Sequence, residues 1–129
     1  MSNENVNKLL AKNILMGSSY WILNKNLVKI LGLETTFFLS NLAEAESLFP
    51  SKDGWFFQTK DTMESMSGLS RHKQDTCIKQ LKDLNLIKVE LRGMPSRRWF
   101  KIEELEILNI MAIYEAENQS KNVVLQTMW

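Results

Sequence analysis

Apolar side chains first gather at Leu9, Leu10, Ile14 and Leu15, after a polar start over 1–8 that reads as frayed, and the segment closes at Met16-Gly17-Ser18-Ser19. Its type, helix or strand, is open on pattern alone. Tyr20-Trp21-Ile22-Leu23 is aromatic and β-branched enough for a short strand. Asn24 then caps a helix through Leu27, Val28, Ile30 and Leu31, which Gly32 stops. From Glu34 the series Phe37, Phe38, Leu42, Ala45, Leu48, Phe49 keeps helical spacing up to Pro50 and predicts the hydrophobic spine of the domain.

After the turn signal Ser51-Lys52-Asp53-Gly54, Trp55-Phe56-Phe57-Gln58 reads as a short buried strand. Thr59 caps a short helix with Met63 and Met66 on its apolar side, and Ser67-Gly68-Leu69-Ser70 breaks the chain before the next helix, with Ser70 as N-cap. That helix, about 71–84, sets Cys77, Ile78, Leu81 and Leu84 on one side. Two helices joined by a tight, Gly-containing turn form the helix-turn-helix pattern. Ile87, Val89 and Leu91 then alternate with Lys88, Glu90 and Arg92. Beyond the turn Gly93-Met94-Pro95-Ser96, Arg97, Trp99 and Lys101 share one strand face, and Arg98, Phe100 and Ile102 the other.

A helix-turn-helix followed by a hairpin is the order of a winged helix, with Gly93 to Arg97 as the wing tip. Leu105, Leu108, Met111 and Ala112, flanked by Ile107 and Tyr114, predict an amphipathic helix over about 103–117, and Val123 to Trp129 form an apolar tail. The expected class is α+β: a winged helix-turn-helix over 20–102, an N-terminal extension over 1–19, and a C-terminal helix and tail over 103–129 that packs or oligomerises.

Composition fits one core: 129 residues, 44% hydrophobic and 24% charged, with seven Gly and Pro together, exclude a disordered or linker-dominated chain. The net charge of +1 promises no strong overall field. Segment by segment the picture changes. Residues 1–70 carry a net −1, residues 71–101 a net +6 and residues 102–129 a net −4. The positive block coincides with the second helix of the pair and the hairpin, the elements a winged helix lays on the major groove and the phosphate backbone. A single cysteine, Cys77, forbids an intrachain disulfide and a Cys-based zinc site, and fits a reducing, cytoplasmic setting. One histidine, His72, gives no multi-histidine metal site. No apolar run reaches the ~18–20 residues of a membrane span, and no signal peptide opens the chain.

Arg71, His72 and Lys73 fall in the first turn of the second helix, where base edges are read, and Arg71 is the candidate for bidentate contact to guanine. His72, Gln74 and Thr76 are expected to hydrogen-bond bases or phosphate, Lys79 and Lys82 to meet backbone or nothing, and the N-cap Ser70 is counted with the DNA-binding residues of this helix. In the wing, Arg92, Arg97, Arg98 and Lys101 are candidates for phosphate or minor-groove contact. Trp99, between cations, suits stacking on a sugar or an unpaired base, or simple packing over the hairpin. Trp21, Phe37, Phe38, Trp55, Phe56 and Phe57 read as core, and Cys77 as an inert buried thiol. Asp61 with Glu64, and Glu103 with Glu104 and Glu106, lack the clustering of a catalytic or metal site. No enzyme activity, metal or cofactor is expected.

The stretch from Tyr20 to Ile102 resembles the N-terminal winged-helix domains of replication-initiation and replisome-organiser-like proteins of phages, plasmids and integrated elements in Gram-positive bacteria. The residues that carry the resemblance are Trp21-Ile22-Leu23-Asn24-Lys25, Leu31-Gly32-Leu33, Gly54-Trp55-Phe56, Gly68-Leu69-Ser70-Arg71, the run from Gln80 to Ile87, and above all Gly93 to Ile102. The resemblance implies a duplex DNA partner, a role in replication initiation, and contact with replication proteins such as a helicase loader. Family members commonly continue into a region that engages such partners or assembles oligomers; this sequence departs from that plan by stopping at Trp129. A homodimer through Leu105–Tyr114 and the tail is also expected. The competing expectations are a winged-helix transcriptional regulator and a winged helix used only as a protein-interaction scaffold.

Overall fold

The computed structural model describes residues 3–16, 20–48, 51 and 53–127. Among these, the elements run α1 (Asn3–Met16), α2 (Lys25–Leu31), α3 (Leu33–Leu48), β1 (Trp55–Phe57), α4 (Lys60–Ser67), α5 (Arg71–Asp83), β2 (Ile87–Arg92), β3 (Arg97–Ile102) and α6 (Glu104–Thr127). Six helices and one small antiparallel sheet make a mixed fold compatible with a winged helix. None of the helices is long and apolar enough to cross a membrane.

Local chemistry sets most of the boundaries. Asn24 Oδ1 accepts from the N–H groups of Asn26 and Leu27, Thr59 Oγ1 from Thr62 N–H, and Ser70 Oγ from Lys73 N–H, so three helices start on side-chain caps that satisfy otherwise orphaned donors. Gly68 ends α4 at φ +75°, its N–H bonded back to Glu64 O. No neighbour crowds that position, so the left-handed backbone alone favours glycine there.

In the sheet, β3 lies between β1 and β2. Phe100 is opposite both Phe56 and Val89, and Ile102 is opposite Ile87, so these positions of the inner sheet face meet the helices as an apolar layer, with Arg98 at its hairpin end. Phe38, Leu42 and Ala45 of α3, Met63 of α4 and Cys77, Ile78 and Leu81 of α5 complete the core. Buried Thr35 and half-buried Gln80 key the helices together. Thr35 Oγ1 donates to Gln80 Oε1 at 2.6 Å, and Gln80 Nε2 donates to Leu31 O at 3.0 Å, tying α5 to the α2–α3 junction. Because an unmet polar group in a core is costly, such a tie fixes one packing of α5.

Several sequence expectations are corrected. The polar start is helical from Asn3, and α1 leaves Leu9, Leu10, Ile14 and Leu15 exposed. Tyr20–Leu23 forms no strand: it lacks a partner strand, and Trp21 instead sets its ring edge-on to Phe37 at 4.7 Å while staying 53% exposed. Trp55 and Phe57 are half-buried on the outer sheet face, while Phe56 alone of that trio enters the core. Leu84 caps α5 and is exposed.

Helix α6 runs to Thr127, through a stretch without Gly or Pro. Its core-facing side is Ile107 and Ile110, while Leu105 and Leu108 face out at 76% and 64% exposure. The orientation follows from its entry, where Glu103 N–H donates to Leu86 O at 2.9 Å. The expected break at Gly17–Ser19, the helix stop at Pro50 and the side chains of the tail from 122 onward lie outside the described residues.

Candidate nucleic-acid interface

Helix α5 is amphipathic with a small number of apolar positions, so one face is buried and the rest is polar surface. Arg71, His72, Lys73, Asp75, Thr76, Lys79 and Lys82 are exposed on it. Gln74 is not, and its expected contact with DNA is corrected: the side chain is fully buried, and its Nε2 donates to Lys60 O and Leu69 O, both at 3.0 Å. It joins the start of α4 to the turn before α5. The signal was present in the sequence, since position 74 lies one helical turn before Cys77 and Ile78 and so shares their face. Thr76 Oγ1 is exposed and donates to His72 O at 3.1 Å, leaving its lone pairs toward solvent.

Most cations of this surface are paired with acids of the same chain. Arg71 is paired with Asp61, Lys73 with Glu34 at 3.1 Å, and Lys79 with Asp83 at 3.0 Å. Lys60 of α4, a residue not among the sequence candidates, pairs with Asp75 at 3.0 Å. On the hairpin, Lys88 pairs with Glu103 and Arg92 with Glu90. Apart from Lys88–Glu103, whose carboxylate is partly buried, these pairs are solvent-exposed and worth little individually, so an arriving phosphate can displace the acids at small cost. Among the described residues Lys82, Arg97, Arg98 and Lys101 have no acidic partner within ion-pair distance.

Arg98 is the unusual member. It points to the inner sheet face, its guanidinium 4.8 Å from the Phe100 ring centroid, and its Nε and Nη2 are buried without a hydrogen-bond partner. Burial pulls its pKa below the ordinary arginine value, with Asp75 of α5 opposing the shift. The charge is held, since no ordinary condition deprotonates a guanidinium, and two donors are left unmet. A groove of about 530 Å³ opens beside it, between the hairpin and the start of α4, lined by Thr59, Lys60, Leu91, Ser96, Arg97 and others. Cations from two elements thus border one groove, which suits an anionic oxygen.

The hairpin turn Gly93–Ser96 projects beyond the sheet, with Gly93 at φ +88° and Met94 almost fully exposed. Trp99, Arg92, Arg97 and Lys101 all lie on the outer face of the sheet, opposite in direction to Arg98. Among the described residues no group of three or more His, Cys, Asp and Glu side chains is arranged to hold a metal ion.

No protein-family model matches the chain, and no curated protein matches it. Its fold is shared with solved structures. One, described as the N-terminal domain of a DNA-binding protein, superposes with a TM-score of 0.51 at 16% identity, covering 77% of this chain and 88% of that one. Another, described as the structure of a Rep–DNA complex, superposes with a TM-score of 0.57 at 14% identity and covers 95% of each chain.

Proposed function

We propose that the chain is a winged-helix protein that binds duplex DNA and acts in replication initiation of a mobile element. In this reading α5 enters the major groove with Arg71 and His72 at its leading end, and the hairpin is the wing. Arg97 and Arg98 meet the phosphate backbone beside it. The observation that carries the reading is the net +6 of residues 71–101, which falls on α5 and the hairpin together and sets Arg97 and Arg98 along the groove beside α4. The likeness to a Rep–DNA complex over nearly the whole chain supports the replication role. Neither catalysis nor a cofactor enters the proposal.

A second copy of the chain is the proposed occupant of the outward stripe on α6, where Leu105, Leu108 and Ile113 are exposed on a helix whose other side already packs on the core. Such a dimer reads two half-sites about one helical turn apart. Leu105→Glu with Leu108→Glu leaves a monomer in sedimentation equilibrium if the stripe is the interface.

The decisive experiment for DNA is a salt titration of duplex affinity. Four to six phosphate contacts give a log–log slope of about −3 to −6. A flat response, or no duplex binding at low salt, overturns the proposal and favours a protein-interaction scaffold. Preference for repeats at a replication origin over promoter fragments separates replication from transcription.

A further inference from the structure

The outer face of the sheet is built from rings and cations. Register places Trp55 beside Lys101 and Phe57 beside Trp99, and on the other side of β3 it places Lys88 opposite Lys101, Glu90 opposite Trp99 and Arg92 opposite Arg97. Two like-charge pairs therefore stand directly opposed on one face, an arrangement that disfavours the sheet. Three aromatic rings, which a small domain ordinarily buries, stay half-exposed among them. The guanidinium of Arg92 lies 4.5 Å from the Trp55 centroid and 5.4 Å from the Trp99 centroid, and that of Arg97 lies 5.0 Å from Phe57. Phe57 and Trp99 are 6.0 Å apart with ring planes at 43°, an open rather than a closed stack.

Beside these rings runs an apolar groove of about 430 Å³, lined by Trp55, Phe57, Trp99, Gln58, Thr59 and Thr62, within the size range of ligand sites. Of the four cations on this face Lys88 is paired with Glu103 and Arg92 with Glu90, which leaves Arg97 and Lys101 without an acidic partner among the described residues; two such cations suit a polyanion, and half-exposed rings suit flat apolar partners at short intervals. A duplex offers the charge but keeps its bases stacked inside; an unpaired strand offers both. A protein partner would have to be acidic and aromatic-binding at once.

We propose that this face binds unpaired, single-stranded nucleic acid, with bases stacking on Trp55, Phe57 and Trp99 and phosphates meeting Arg97 and Lys101. The site is separate from α5 and shares Arg97 with the duplex reading, so the test rests on Trp55, which the duplex reading does not use. The test uses the full chain with a labelled fifteen-nucleotide oligothymidylate and, in parallel, a labelled duplex. The oligothymidylate should bind and quench tryptophan fluorescence. Trp55→Ala should weaken that binding at least fivefold and leave duplex affinity unchanged, and Trp55→Phe, which keeps a ring, should restore most of it. Arg71→Ala should weaken the duplex and spare the oligothymidylate.

No oligothymidylate binding at low salt overturns the inference whether or not the duplex binds. Equal loss in Trp55→Ala and Trp55→Phe also overturns it, as does a change in sedimentation in place of strand binding, which would mark the face as a protein interface. Should Trp55→Ala fail to fold, Trp55→Phe decides: it should keep most of the oligothymidylate affinity and lose part of the wild-type quenching, and unchanged quenching overturns the inference.

Discussion

Arg71, in the first turn of α5, is paired with Asp61, in the first turn of α4. Both side chains are exposed, so the pair is loosely held in energetic terms. Asp61 sits favourably at a helix N-terminus, whereas Arg71 sits at the unfavourable end of its own helix. The pair thus neutralises the cation proposed to read guanine until a stronger acceptor arrives.

Asp61→Asn should strengthen duplex binding by about two- to fivefold at low salt, because the competing carboxylate is removed and a phosphate-repelling charge is lost with it. Arg71→Ala should cost about 1–3 kcal/mol on the preferred sequence and less on others. Anisotropy titrations against two duplexes check both; equal losses on every duplex would mean Arg71 meets phosphate only.

Arg97 and Arg98 should separate affinity from stability. Arg97→Glu is expected to weaken all duplexes alike and to lower the salt slope by about 1 or more. Arg98→Met gives up the cation over Phe100 but removes two buried unmet donors, so the free protein should gain about 1 kcal/mol in urea unfolding while its duplex binding weakens. A stability loss in Arg98→Met would show that the guanidinium is already satisfied in the free protein.

Gln74→Leu removes both bonds that join α4 to the turn before α5. Stability should fall by about 1–3 kcal/mol, and duplex affinity of the folded protein should stay as it was. A selective loss of affinity at unchanged stability would return Gln74 to the interface.

The Cys77 thiol is pushed above its ordinary pKa first by burial, with the neighbouring Thr35 side chain opposing the shift and Glu34 adding to it. The folded state therefore holds its proton over a window in which the unfolded chain has lost it. Stability contributed by this group is present below the unfolded thiol pKa and declines as pH rises toward the folded value. Native protein at pH 8 should react with a disulfide exchange reagent only at the rate of opening, and Cys77→Ala should flatten the alkaline loss in thermal unfolding; fast native labelling would contradict the buried thiol.

The helix pair and the hairpin were legible because their signals are local. Caps at Asn24, Thr59 and Ser70, the glycine at 68 and the alternation from Ile87 to Ile102 each act within a few residues. The strand expected at Tyr20–Leu23 had the right residues and no partner strand, a fact no local pattern contains. Trp55-Phe56-Phe57 looked uniformly buried because hydrophobicity reports the wish to be covered, whereas a strand covered on one side buries only alternate residues.

The sequence by itself determined the paired helices α4 and α5, the hairpin that follows them, and that positive charge concentrates between Arg71 and Lys101. Only the tertiary structure decided how that charge is presented. It buried Gln74 beneath α5, paired Arg71 and Lys73 with acids from α4 and α3, and rotated α6 so that Leu105 and Leu108 face outward. It also turned Arg98 inward while Trp55, Phe57 and Trp99 gathered on the opposite face. Helix and strand periods are set by neighbours along the chain, but orientation and ion pairing are set by neighbours across the core, and those are known only once the chain has packed.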